Sequence, residues 1–188
     1  MSAVMAKFSI AEYERMIDAD VFDPRRGHNI ELIHGELREI IPINFDHATI
    51  VDYLARWSIE NIRKEQATVR IQQPICCPSD EAVPQPDVAW IKTIKRRPWP
   101  NPSDVYLLIE VADSSVATDQ EVKAEIYASE GIGDYWIVNI PSRQIEVYRE
   151  PNNGTYSKVQ IFKSGDSVQP IAFPDVTLIA SELFATLD

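Results

Sequence analysis

Two acidic residues occupy positions where apolar strands leave them no obvious partner. Glu110 lies near the end of the run Val105-Tyr106-Leu107-Leu108-Ile109-Glu110-Val111. A strand this apolar is expected to be buried on both faces. An ionised carboxylate there is costly without a partner, so the fold must supply a cation. That cation is either a bound metal or a nearby Lys or Arg. Asp87 poses the same problem within Gln85-Pro86-Asp87-Val88-Ala89-Trp90, 23 residues earlier in the chain (87 to 110). That interval fits two strands and a loop, and antiparallel pairing of the strands could bring the acids together. Two carboxylates in close approach stay ionised together only with a cation between them. Hard oxygen ligands favour Mg2+ or Mn2+. Lys123 follows Glu110 by 13 residues (110 to 123), and Asp119, Lys123 and Tyr127 recur at i, i+4 and i+8. On a helix these three share one face. A strand–loop–helix connection can turn that face back onto the end of the Glu110 strand.

The elements that must hold these residues are readable in outline. Ser9-Ile10-Ala11-Glu12 matches a capping box and opens a helix reaching about position 20. Ile30-Glu31-Leu32-Ile33 and Glu36-Leu37-Arg38-Glu39-Ile40 flank His34-Gly35, which predicts a hairpin with a two-residue turn. Its register sets Ile33 against Glu36 and Glu31 against Arg38. Asp46 is expected to cap a helix over 47–64. Strands are expected over 69–76, 85–91, 105–111 and 135–138, with a proline-rich loop over 92–104. A helix over 118–130 stops at Gly131. A hairpin joins 144–149 to 155–162 around Asn152-Asn153-Gly154, and a short helix closes the chain near 181–184. This mixture gives an α/β or α+β class with a mixed sheet.

The 188 residues, 45% hydrophobic and 25% charged, fit one globular domain spanning 1–188. No apolar run is long enough to cross a membrane. The first seven residues lack the basic and apolar regions of a secretory signal, so the expected compartment is the cytoplasm. Cys76 and Cys77 are adjacent and lack metal-ligand spacing, which argues against a disulfide framework or zinc site. The net charge of -11 repels nucleic acid. A nucleic-acid function would need a local basic patch, a metal or a second subunit. Lys92, Lys95, Arg96 and Arg97 form the one concentrated basic run, in the loop between the two acid-bearing strands.

Five segments in order resemble the Uma2 family, also called DUF820. They are Glu-Leu-Ile-His-Gly-Glu-Leu at 31–37, Gln-Pro-Asp-Val at 85–88 and Ile-Glu-Val-Ala-Asp-Ser-Ser at 109–115. The spaced Asp119, Lys123 and Tyr127 and Gly-Ile-Gly-Asp-Tyr-Trp-Ile-Val at 131–138 complete the set. The resemblance spans about residues 8 to 186. That family is abundant in cyanobacteria and is placed in the restriction-endonuclease-like superfamily, named for a Pro-Asp…(Asp/Glu)-X-Lys motif. The resemblance implies a restriction-endonuclease-like core, a central mixed sheet flanked by helices, with an added N-terminal hairpin and C-terminal strands. Asp87, Glu110 and the Val111 carbonyl would hold Mg2+ or Mn2+. Position 112 is Ala where the superfamily expects lysine, and Lys123 resembles the relocated lysine. Glu31, with Glu36 second, matches an upstream acid. The implied activity is endonucleolytic hydrolysis of DNA phosphodiester bonds by a homodimer.

Other readings compete. Glu110 and Lys123 could form a structural salt bridge, and Glu31 with Arg38 a cross-strand ion pair. His47 could be a surface or capping residue, Tyr127 a packing residue, and the 92–97 run a solvated loop. A catalytically inactive interaction module and a hydrolase of small phosphate esters remain as rivals from other classes.

Overall fold

The computed structural model describes residues 5–22, 29–40, 44–94 and 99–188. Helix α1, Ile10–Asp18, starts with the expected capping box, Ser9 and Glu12 each accepting from the other's backbone N–H. Strands β1, Ile30–Ile33, and β2, Glu36–Glu39, pair antiparallel in the expected register. His34 and Gly35 both take positive φ, 53° and 77°, as a two-residue turn of this hand requires. Helix α2, Phe45–Asn61, buries Ile50, Leu54 and Trp57, each contributing roughly 1.5–3 kcal/mol of hydrophobic stabilisation. Its cap is Asn44, whose side chain accepts from His47 N at 2.9 Å, and not the expected Asp46. Asp46 lies instead in the first turn, where the helix dipole favours an acid.

Six strands form the main sheet: β3, Thr68–Ile71; β4, Val88–Ile91; β5, Val105–Ala112; β6, Asp134–Asn139; β7, Gln144–Asn152; and β8, Thr155–Phe162. They lie in sequence order from β3 to β8. All neighbours are antiparallel except β5 and β6. That parallel pair needs a crossover, and the helical segment between them supplies it. The segment comprises α3, Val116–Thr118, a π turn over Asp119–Lys123, and α4, Ala124–Ser129. A small second sheet, β9, Ser167–Val168, with β10, Leu178–Ile179, precedes the closing helix α5, Ala180–Phe184.

The sheet separates two apolar layers, with alternate residues of β5 feeding each one. Leu107, Ile109 and Val111 join the layer that contains Trp57 of α2 and Leu183 of α5, where Trp57 stacks on Trp90 at 5.0 Å. Leu108 and Ala112 join the layer under α4, where Tyr127 meets Tyr135 edge-on at 4.9 Å. Trp57, Trp90 and Trp136 are thus core residues.

Several element boundaries differ from expectation, among them three next to the site. Strand β3 ends at Ile71, because Gln72 turns to positive φ. Strand β4 starts at Val88 and not at position 85. Pro84 and Pro86 have no N–H to give a ladder. The helix expected over 118–130 starts at Val116 and contains the π turn, which puts an extra residue into one helical turn.

Candidate metal-assisted active site

The β4–β5 register sets Val88 against Ile109, so Asp87, one residue before β4, falls beside Glu110 at the end of the paired region. Val111 N donates to Asp87 Oδ2 at 2.8 Å. A ladder bond to the Val111 carbonyl would require an N–H from position 86, which is Pro86. The N–H and C=O of one strand residue face the same edge, so the Val111 carbonyl is directed to the Asp87 side as well. Asp87 Oδ1 contacts His47 Nε2 at 3.0 Å and accepts from Gln72 Nε2 at 3.1 Å. Burial pushes the Asp87 carboxyl up, but His47 and the Val111 N–H outweigh it and leave the group below the ordinary aspartate range.

Glu110 is only 2% exposed and projects to the α4 side of the sheet. Its Oε1 accepts from Lys123 Nζ and from Tyr127 OH, each at 3.0 Å. Lys123 Nζ also lies 3.5 Å from Asp119 Oδ1 and 3.9 Å from Glu31 Oε1. Burial disfavours the charge on Lys123, but Glu110, Glu31, Asp119 and Asp87 together hold it firmly protonated. Burial pushes Glu110 well above the ordinary glutamate range despite Lys123, with Asp119, Asp87 and Glu31 adding repulsion. Asp119 is raised by burial too, although Ser115 Oγ donates to its Oδ2 at 2.6 Å. The arrangement is four carboxylates around one ammonium, with negative charge in excess.

The hairpin supplies the fourth acid. Glu31 is 7% exposed and its Oε1 accepts from Gln85 N at 2.6 Å. Glu36, the other acid considered, is half-buried and pairs with Arg38 at 3.4 Å. The Glu31–Arg38 ion pair suggested by the register is therefore replaced by Glu36–Arg38, and Glu31 is turned toward Lys123. The hairpin in turn is anchored by the Leu32–Val83 bridge and by Gly35 N donating to Glu81 O at 2.9 Å.

The structure thus brings together Asp87, Glu110, Val111, Lys123 and Glu31. It also adds residues that spacing did not single out. His47 and Gln72 reach Asp87 from α2 and from the end of β3, and no sequence separation announces such a contact. Asp119 and Tyr127 were visible in the i, i+4, i+8 series. Of the basic run, Lys92 Nζ donates to Ser103 O at 2.6 Å, while Lys95, Arg96 and Arg97 lie outside the described residues. Among the described residues no three His, Cys, Asp or Glu side chains form a ready-made metal cage. The donor set still fits a hydrated divalent cation held by one or two carboxylates and a carbonyl. Asp87, Glu110 and Val111 provide those groups on one edge, and the excess negative charge favours a cation there.

A six-stranded mixed sheet flanked by helices, with this acid and lysine cluster at its end, defines a nuclease-fold protein. A crystal structure described as a putative nuclease belonging to DUF820, from Anabaena variabilis ATCC 29413, superimposes with a TM-score of 0.71 at 14% identity. The match covers 96% of this chain and 99% of that one, and at this identity it speaks for the fold. The model of the Uma2 family, described as "Putative restriction endonuclease", matches residues 10–181, and the chain belongs to that family. No curated protein matches the chain.

Proposed function

We propose that the chain is a Mg2+- or Mn2+-dependent endonuclease that hydrolyses DNA phosphodiester bonds. The observation that carries this reading is the convergence of Asp87, Glu110 and Lys123. An antiparallel strand pair brings the two acids to one edge, and Lys123 Nζ lies 3.0 Å from Glu110 Oε1. Asp87, Glu110 and the Val111 carbonyl would hold the ion. When bound, it supplies Lewis-acid polarisation of the scissile phosphate and a more acidic water. Lys123 orients the attacking water through its N–H donors and steadies charge developing on the phosphoryl oxygens. Tyr127 OH donates to the same Glu110 oxygen as Lys123 and helps fix that carboxylate. His47 and Gln72 fix one Asp87 oxygen, and Val111 N fixes the other. Glu31 would add a further carboxylate beside the ion, and its bond from Gln85 N sets its direction. Lys92, Lys95, Arg96 and Arg97 would steer the phosphate backbone. We further propose that residues 1–188 act as one domain, located in the cytoplasm, and pair as a homodimer to cut both strands.

The test is nicking of supercoiled plasmid by purified protein with Mg2+, Mn2+ or EDTA. Nicking is expected with either metal and not with EDTA. Asp87→Ala and Lys123→Ala are each expected to reduce it at least a hundredfold, the loss expected for a key electrostatic group. Wild-type protein inactive with both metals on supercoiled, linear and single-stranded DNA would favour the inactive interaction module.

A further inference from the structure

Arg70 sits on β3, the edge strand nearest the site, directly opposite Ala89 of β4. Ala89 is two residues from Asp87, and alternate residues of a strand share a face. Ala89 belongs to the layer under α4, the side to which Glu110 and Lys123 project. Arg70 is therefore a diagonal cross-strand neighbour of Asp87, at a spacing of about 7–8 Å between Cα atoms that a long side chain spans readily. Among the described residues no carboxylate pairs with it, and its Nε is buried with no hydrogen-bond partner. Burial also lowers its pKa, because no negative group offsets the lost hydration. This is an unexpected state for an arginine in a chain with 29 acidic and 18 basic residues. The other cation at the site, Lys123, has carboxylates around it, with Glu110 at 3.0 Å, Asp119 at 3.5 Å and Glu31 at 3.9 Å.

We propose that Arg70 binds a backbone phosphate of the DNA strand presented to the Asp87–Glu110 site. The proposal rests on the nuclease reading, and it names the residue that offsets the acidic surface at the point of contact. A guanidinium suits this task, because its planar fork meets two phosphate oxygens at once. Arg70 is only partly buried and has no counter-ion among the described residues, so the part of its guanidinium that stays accessible keeps its charge available to a phosphodiester. The contact is to the backbone, so it adds affinity and carries no sequence preference.

Fluorescence anisotropy of labelled duplex oligonucleotides of two unrelated sequences tests the proposal, with Ca2+ in place of Mg2+ and a salt series for each protein. Wild type is compared with Arg70→Gln and Arg70→Lys, and the melting temperature of each is measured alongside. R70Q is expected to weaken binding to both duplexes by roughly tenfold and to reduce the slope of log affinity against log salt by about one. R70K is expected to keep the slope and lose part of the affinity. Equal affinity and slope in wild type and R70Q would overturn the proposal, as would wild type that binds neither duplex. Weaker binding with an unchanged slope and a lowered melting temperature would also overturn it, since that pattern belongs to a structural role. The two readings fail separately. Asp87-dependent nicking with an Arg70-independent slope sinks the phosphate contact alone. An Arg70-dependent slope without nicking under any metal sinks the nuclease activity alone.

Discussion

Glu110 shares one ammonium with two other carboxylates, Glu31 and Asp119, and is pushed well above its ordinary pKa by burial. A group whose native pKa is raised binds more protons folded than unfolded between the two values. Stability then falls as pH rises through that window, which begins near 4.5, the ordinary value for this group. Glu110→Gln keeps an acceptor for Lys123 and Tyr127 and removes one of the excess negative charges. The variant is expected to melt higher than wild type at pH 8, by about 2–8 °C for one to two kcal/mol in a chain of this size. The difference should shrink as pH falls toward 5, which calorimetry at several pH values reads directly. A variant melting below wild type at pH 8 would show that the charge of Glu110 supports the fold. The anomaly at Glu110 was legible in the sequence, because the apolar strand leaves the acid no alternative environment. Asp87 was legible by the same logic. His47 and Gln72 were not, because α2 and the end of β3 meet Asp87 only after the sheet has formed.

At the scale of elements, turn chemistry and apolar patterning carried most of the information. The β1–β2 register followed from the two-residue His34-Gly35 turn. Gly35 is also constrained by its neighbours, since a Cβ there would meet Lys7 Cβ at 3.0 Å and Phe8 O at 3.1 Å. Asn153-Gly154 closes the β7–β8 hairpin in the same way, with φ of 49° and 78°. The π turn over Asp119–Lys123 was not legible, since a smooth i, i+4 series predicts an ordinary helix. Its widened geometry is held by contacts from other elements. Tyr135 OH donates to Asp119 O at 3.1 Å, and Gln120 Nε2 donates to the buried Glu146 carboxylate at 2.7 Å. Glu146 also accepts from Asn139, Gln144 and Tyr148, and these neutral donors outweigh burial and lower its pKa. The fold thus fixes the backbone from which Lys123 projects, a frequent use of π turns at functional sites.

For the whole molecule, the acidic surface and the nuclease fold pull in opposite directions. In the proposed reading the site would resolve this locally, through Lys123 and an ion held by the acids, while the net charge stays at -11. No helix among the described residues is long and apolar enough to cross a membrane. The fold class was readable from the order of strands and helices, but the small β9–β10 sheet was not, because two-residue strands carry no periodicity. The proposed homodimer is a statement about mass. Light scattering on the eluting peak is expected to give about twice the 21.4 kDa of one chain, and a single-chain mass across the accessible concentration range would contradict it.

The central claim is that Asp87, Glu110 and Val111 hold a divalent ion. Titration of isotopically labelled protein with Mn2+, followed by amide NMR, tests it most directly. The account predicts that the amides of Val88 and Val111 broaden first, and that Asp87→Asn abolishes this while leaving the rest of the spectrum in place. Broadening that begins elsewhere on the acidic surface, or that is unchanged in the Asp87→Asn variant, would contradict it.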